Sequence, residues 1–252
     1  MRTFLSLFLC FFVLQSAAQE LPKWHVNQVG LHLGMQNDAY AAMSMDYMRA
    51  YAFGTSLVDL DLQGMEQQVF ADVFSGMMAL SVGMNPIAKS GTGYRTDREL
   101  RLSIELQAGK EAMVSFTDQT GDNTLIYCVI QNEASLNGAY LIRMDKLPIV
   151  DLFVGAGANL GRSFGNQFVF INESNQRYAG EQSGNQGMSY FRAQSSAFYR
   201  IYVPFGLDLK LFEHFRLSLE TRLGAGVEVV KGGGSYGIPL SHATMLGMKY
   251  WM

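Results

Sequence analysis

Residues 215–229 read F-R-L-S-L-E-T-R-L-G-A-G-V-E-V. In an extended chain this places Phe215, Leu217, Leu219, Thr221, Leu223, Ala225, Val227 and Val229 on one face. Arg216, Ser218, Glu220, Arg222, Gly224, Gly226 and Glu228 fall on the other. A helix would scatter both sets around its axis, so the period of two assigns a strand. The run is also well beyond the five or six residues typical of a strand in a globular domain.

The same alternation continues outward from this segment. Upstream, Tyr199, Ile201, Val203, Phe205, Leu207, Leu209 and Leu211 oppose Arg200, Tyr202, Pro204, Gly206, Asp208 and Lys210. Leu100, Leu102, Ile104 and Leu106 alternate with Arg101, Ser103, Glu105 and Gln107, and Val150, Leu152 and Val154 with Asp151, Phe153 and Gly155. About eight such segments are predicted, near 26–35, 70–84, 98–107, 125–144, 149–161, 197–211, 214–229 and 241–252. Tight connections at 145–148, 212–214 and 85–96 alternate with longer ones at 36–69, 108–124, 163–196 and 231–237. Short turns on one rim and long loops on the other, around an even number of strands, describe an antiparallel up-and-down transmembrane barrel. The Ala/Met-rich stretch within 36–56 suits an extension of the first strand or a short helix, and a further hairpin there would raise the strand number to ten.

Composition narrows the function classes. The chain of 252 residues has 19 Lys and Arg against 22 Asp and Glu, a net charge of −3, which excludes a basic nucleic-acid binder. With 48% apolar and 16% charged residues it is not a disordered chain. A mean hydropathy of +0.05 is too low for a bundle of membrane helices. At the N-terminus Arg2 precedes an apolar run over 4–14 and then Ser16-Ala17-Ala18, the pattern of a cleaved export signal. The expected division is a signal peptide over 1–18 and a single barrel domain over 19–252. Removal of Cys10 with the signal would leave Cys128 alone, so the fold is expected to stand without disulfides.

Alternation by itself does not say which face meets lipid. Three features favour apolar residues outside: the pattern runs to the chain end, aromatic residues gather at the strand ends, and the polar face carries opposed charges. Trp24, Phe212, Phe215, Tyr250 and Trp251 would line the short-turn rim, and Phe164, Tyr190, Phe191, Phe198 and Tyr199 the other. On the polar face Arg101, Arg143, Arg200, Lys210, Arg216, Arg222 and Lys249 face Glu105, Glu133, Asp151, Asp208, Glu220 and Glu228, seven cations against six anions. Such near-balance is what a buried ionic interior demands, since an unpaired ion there costs several kcal/mol.

In these respects the chain resembles the small outer-membrane β-barrel family of Gram-negative bacteria, the OmpA/OmpX-like proteins of porin-like fold. The most specific element is the final strand. There Leu246, Met248 and Tyr250 alternate with Gly247, Lys249 and Trp251 up to Met252, similar to the C-terminal signal read by the family's insertion machinery. The family usually ends on Phe or Trp, and this chain ends on Met. The resemblance implies residence in the cell outer membrane, with outer-membrane lipid and the barrel-insertion machinery as partners, but it implies no single activity.

Catalytic and metal-binding motifs are not expected. The glycines of 155–161 are spaced wrongly for a dinucleotide fingerprint and make room for large neighbours instead. His25, His32, His214 and His242 are scattered without metal-ligand spacing. His242 beside Ser241 is the one candidate for nucleophilic chemistry. The expected function is therefore a non-enzymatic envelope or surface-interaction protein with a narrow or plugged lumen, without cofactor, metal or nucleic acid. Its long loops are available to an extracellular ligand. The alternatives are a porin-like channel for small solutes, a soluble secreted barrel of lipocalin type and a lipid-modifying enzyme.

Overall fold

In the computed structural model, ten strands form one antiparallel sheet that closes on itself. The structure describes residues 23–41, 43–52, 57–87, 95–121, 124–144, 147–172 and 188–252. The expected signal peptide and the Asn/Gln-rich run over 173–187 lie outside these. The strands are β1 (Trp24–Ala39), β2 (Glu66–Phe70), β3 (Asp72–Pro86), β4 (Arg98–Thr117), β5 (Thr124–Met144), β6 (Val150–Asn172), β7 (Met188–Arg192), β8 (Ser196–Lys210), β9 (Phe215–Val230) and β10 (Gly234–Trp251). Eight of them make the ring β1, β3, β4, β5, β6, β8, β9, β10, which closes through Gln28↔Trp251 to Ala39↔Leu240 between first and last strand. The short strands do not enlarge it: β2 continues β3 along β4, and β7 continues β8 along β6. A ring of eight has a lumen just wide enough for side chains to fill.

The phase read from 215–229 holds around the ring. Outward residues include Ile201 at 68% exposure, Leu136 at 64% and Leu80 at 62%, whereas Arg101, Glu105, Asp208 and Glu220 on the opposite face are buried. An exterior this apolar is stable against hydrocarbon rather than water.

Two long connections prove to be strand in part. The expected loop over 108–124 shrinks to residues 118–123, because β4 and β5 extend beyond the ring as a tall hairpin. A bulge at 108–109, with Gly109 at φ +69°, flips the alternation: residues 99, 101, 103, 105 and 107 point inward before it, and 110, 112, 114 and 116 after it. The expected loop over 163–196 is shortened in the same way, since β6 runs to Asn172 past a second bulge at Gly165, φ +62°. A pattern counted across either bulge loses its phase.

The segment after β1 forms a helix instead of a further hairpin. Helix α1 (Met45–Tyr51) begins where the Ser44 hydroxyl accepts from the Asp46 N–H at 3.2 Å, and Arg49 pairs with Asp46 at 3.0 Å. Its Met45, Tyr47, Met48 and Tyr51 turn inward onto Val73, Val114, Phe116, Tyr127 and Phe168 of the extended strands. The largest apolar cluster therefore lies at the loop end of the barrel, above a charged interior.

Aromatic placement departs from expectation at three residues. Phe212, Phe215 and Tyr250 face outward on the short-turn rim, and Phe215 meets Tyr250 edge to face at 5.3 Å. Trp251 turns into the lumen beneath Arg216, 3.8 Å from its ring centre. Phe198 and Phe191 also point inward. Neighbouring aromatics on a strand cannot share a face, so of each adjacent pair one is drawn inside.

Candidate functional site

The lumen is filled by ion pairs in two tiers. In the lower tier, toward the short turns, Arg143 of β5 pairs with Glu99 of β4 at 2.5 Å and with Asp208 of β8, and lies 3.6 Å from Asp151 of β6. Asp208 also accepts from Lys249 of β10 at 2.7 Å. Asp151 accepts from Lys210 at 2.6 Å and from Arg216. Arg101 joins Glu99 at 2.8 Å to Glu220, and Arg222 joins Glu220 at 2.8 Å to Glu105 at 2.7 Å. The chain of contacts crosses the barrel from wall to wall. All thirteen charged residues expected on the polar face lie on the lumen side: the ten at 101, 105, 143, 151, 208, 210, 216, 220, 222 and 249 in this tier, and Glu133, Arg200 and Glu228 above it.

Arg200 belongs to the upper tier, where it pairs with Asp38 at 2.6 Å and Glu133 at 2.8 Å. Lys110 reaches Glu133 at 2.5 Å and Asp38 at 3.3 Å. Between the tiers a cavity of about 20 Å³ is lined by Gln36, Asn159, Arg200, Tyr202, Arg222, Ser241 and Ala243, space for about one water. Inward-pointing rings explain two glycines of β6: a Cβ at Gly157 would strike the Tyr202 ring, and one at Gly161 the Phe198 ring.

Three lumen charges escaped the sequence reading: Asp38, Glu99 and Lys110. Adding Lys110 to the seven cations gives eight, and adding Asp38 and Glu99 to the six anions gives eight, so these lumen charges balance among the described residues. Glu99 sits in phase with Arg101 and was legible. Asp38 required β1 to continue past residue 35, and Lys110 was hidden behind the bulge.

Above the upper tier a single carboxylate holds the cap. Glu228 of β9 accepts from the hydroxyls of Tyr40 and Tyr51, each at 2.5 Å, Ser196 at 2.6 Å and Tyr47 at 3.4 Å, and from the Gln131 amide at 3.2 Å. Lys110 Nζ lies 3.9 Å away. Tyr47 and Tyr51 belong to α1, so these bonds tie the helix to the barrel wall and fill the mouth between them. Burial, together with the facing Glu228 carboxylate, pushes both phenols well above the usual tyrosine range, which keeps them as hydrogen-bond donors.

Charges paired inside, hydrocarbon side chains outside and a ring without free edges leave one physical environment for this molecule. The chain is a transmembrane β-barrel. Solved structures similar to it include proteins of the outer membrane. The outer membrane protein OprG from Pseudomonas aeruginosa matches with a TM-score of 0.47 at 11% identity, covering 90% of this chain and 96% of that one. Neisserial surface protein A matches with a TM-score of 0.43 at 9% identity, covering 91% and 99%. The Escherichia coli outer membrane protease OmpT matches with a TM-score of 0.35 at 12% identity, covering 93% and 100%. No family model and no curated protein matches the barrel's sequence.

The candidate for nucleophilic chemistry is taken apart by the strand geometry. Ser241 faces the lumen and donates to Asp38 at 2.7 Å, while His242 faces outward, 3.3 Å from the Thr244 hydroxyl. Consecutive residues on a strand lie on opposite sides of the wall, so the imidazole cannot serve Ser241. The other histidines are far apart: His32 lies in the lumen 3.2 Å from the Ser81 hydroxyl, and His214 in a short turn with its Nδ1 2.9 Å from the Trp251 carbonyl.

Proposed function

We propose that this barrel is a non-enzymatic, non-conducting protein of the bacterial outer membrane, working in envelope structure or surface interaction through its extracellular end. The observation that carries the reading is closure of the lumen at two levels, by ion pairs from wall to wall and by α1 fastened over the upper tier through Glu228. A hydrated passage for solutes would require one side of the wall to be stripped of bulk. Here Arg143, Trp251 and Phe153 pack against one another from different strands, with the guanidinium 5.5 Å from the Trp251 ring centre and 5.8 Å from that of Phe153. The tall β2, β4, β5, β6 and β7 wall and the α1 cap present the surface available to an extracellular ligand.

Assembly fits the same reading. Leu246, Met248, Tyr250 and Met252 form an outward row at the end of the last strand, with Trp251 turned inward between the last two, the feature on which insertion machinery would act. Reconstitution into a planar lipid bilayer tests closure. The expected result is a current at baseline without discrete steps, and stepwise conductance would establish the channel reading instead.

A further inference from the structure

The outer wall carries a charged concavity at its loop end. The bulge of β6 at Gly165 lies beside the interruption between β7 and β8, because β6 pairs with β8 as far as Arg162↔Ala197 and with β7 from Gln167↔Arg192 onward. Between the two irregularities opens a pocket of about 1070 Å³ whose wall includes Arg162, Arg192, Lys231, Phe164 and Tyr190. Arg162, Arg192 and Lys231 are exposed, and none forms an ion pair with a carboxylate among the described residues; Arg162 only donates to the Ser195 hydroxyl at 3.0 Å. Among the described residues, the pocket wall contains no Asp or Glu. Elsewhere at the loop end the exposed charges among the described residues include the acids Asp59, Asp61, Glu66, Asp72 and Glu111, and the exposed cation Arg49 is already paired with Asp46 and Asp59, so the unpaired cations gather at the pocket.

Its height on the barrel identifies the ligand class. The outward residues of β6 run Leu152, Val154, Ala156, Ala158 and Leu160, and Arg162 is the first charge beyond them. The pocket thus begins where the apolar band ends, at the level of lipid headgroups on the loop side, with exposed Phe164 and Tyr190 at its edge. We propose that this pocket binds the phosphorylated headgroup of a lipid in the outer leaflet, its phosphates against Arg162, Arg192 and Lys231 and its acyl chains along the β6 and β8 surface. This rests on placement of the barrel in an outer membrane. A membrane lipid fits better than a free anion because one side of the pocket is continuous with the hydrocarbon-facing wall.

The test uses the full barrel in detergent, checked as folded by its heat-dependent gel mobility, and titrates it with diphosphoryl lipid A, with the same lipid stripped of phosphate, and with inorganic phosphate. Native protein should bind the diphosphoryl lipid. Each of Arg162→Gln, Arg192→Gln and Lys231→Gln should weaken binding roughly five-fold, and the triple variant about a hundred-fold. Arg49→Gln, on the α1 surface, should leave affinity unchanged. Equal affinity for the stripped lipid, or an unaffected triple variant, would overturn the proposal, as would equal binding of inorganic phosphate, which would mark a free-anion site. Because folding is verified separately, these failures are distinguishable from failure of the barrel to belong in a membrane.

Discussion

Arg143→Met lowers the stability of the refolded barrel by about 3–5 kcal/mol, the cost of leaving a buried ionic group without its partner. The side chain is fully buried and lies between Glu99, Asp151 and Asp208, so its removal leaves three carboxylates served by Arg101, Lys249, Arg216 and Lys210 alone. The size of the loss comes from the carboxylates left behind and not from the pairs themselves. The double variant Arg143→Met, Glu99→Gln, which removes one charge of each sign and leaves Asp208 paired with Lys249, should therefore recover a large part of it. Urea unfolding from detergent micelles measures both; a single variant within about 0.5 kcal/mol of the native barrel would show that the lower tier is not a closed ionic interior.

Leu219→Arg is the corresponding change on the other face. Leu219 stands outward at 43% exposure, level with Leu207 and Leu246 on the neighbouring strands, in the middle of the apolar band. A cation at mid-bilayer depth on a barrel costs about 2–4 kcal/mol. Its neighbour Ser218 faces the lumen, fully buried, with a hydroxyl that has no hydrogen-bond partner, so Ser218→Ala should change stability far less. Equal losses at the two positions, measured by refolding titrations, would remove the facing assignment.

The ring was legible in the sequence because each of its eight strands carries a stretch of unbroken alternation, and alternation is a direct consequence of a wall with unlike solvents on its two sides. What the sequence hid follows from the two devices that break this period. At Gly109 and Gly165 one extra residue shifts the phase, so the tall hairpin and the far end of β6 read as loop although every second residue, such as Val114, Phe116, Phe168 and Phe170, is buried. The cap was invisible for another reason. Tyr40, Tyr47 and Tyr51 meet a carboxylate at residue 228, and no local pattern in 40–51 announces a partner so distant along the chain. Among the lumen charges, those on uninterrupted strands could be placed from parity alone, while Lys110 needed the bulge to be known first.

Tryptophan fluorescence in bilayers whose acyl chains carry bromine tests the central claim most directly, namely that the odd-numbered face of 215–229 meets hydrocarbon and the lumen excludes it. Two proteins suffice: Trp24→Phe, which retains Trp251 in the lumen, and Trp24→Phe, Trp251→Phe, Leu219→Trp, which carries a lone indole on the outer wall. The account predicts strong quenching at position 219 and emission from Trp251 that the brominated lipid leaves nearly unchanged. Quenching of Trp251 to the same extent, or of Trp251 in preference to the indole at 219, would contradict it.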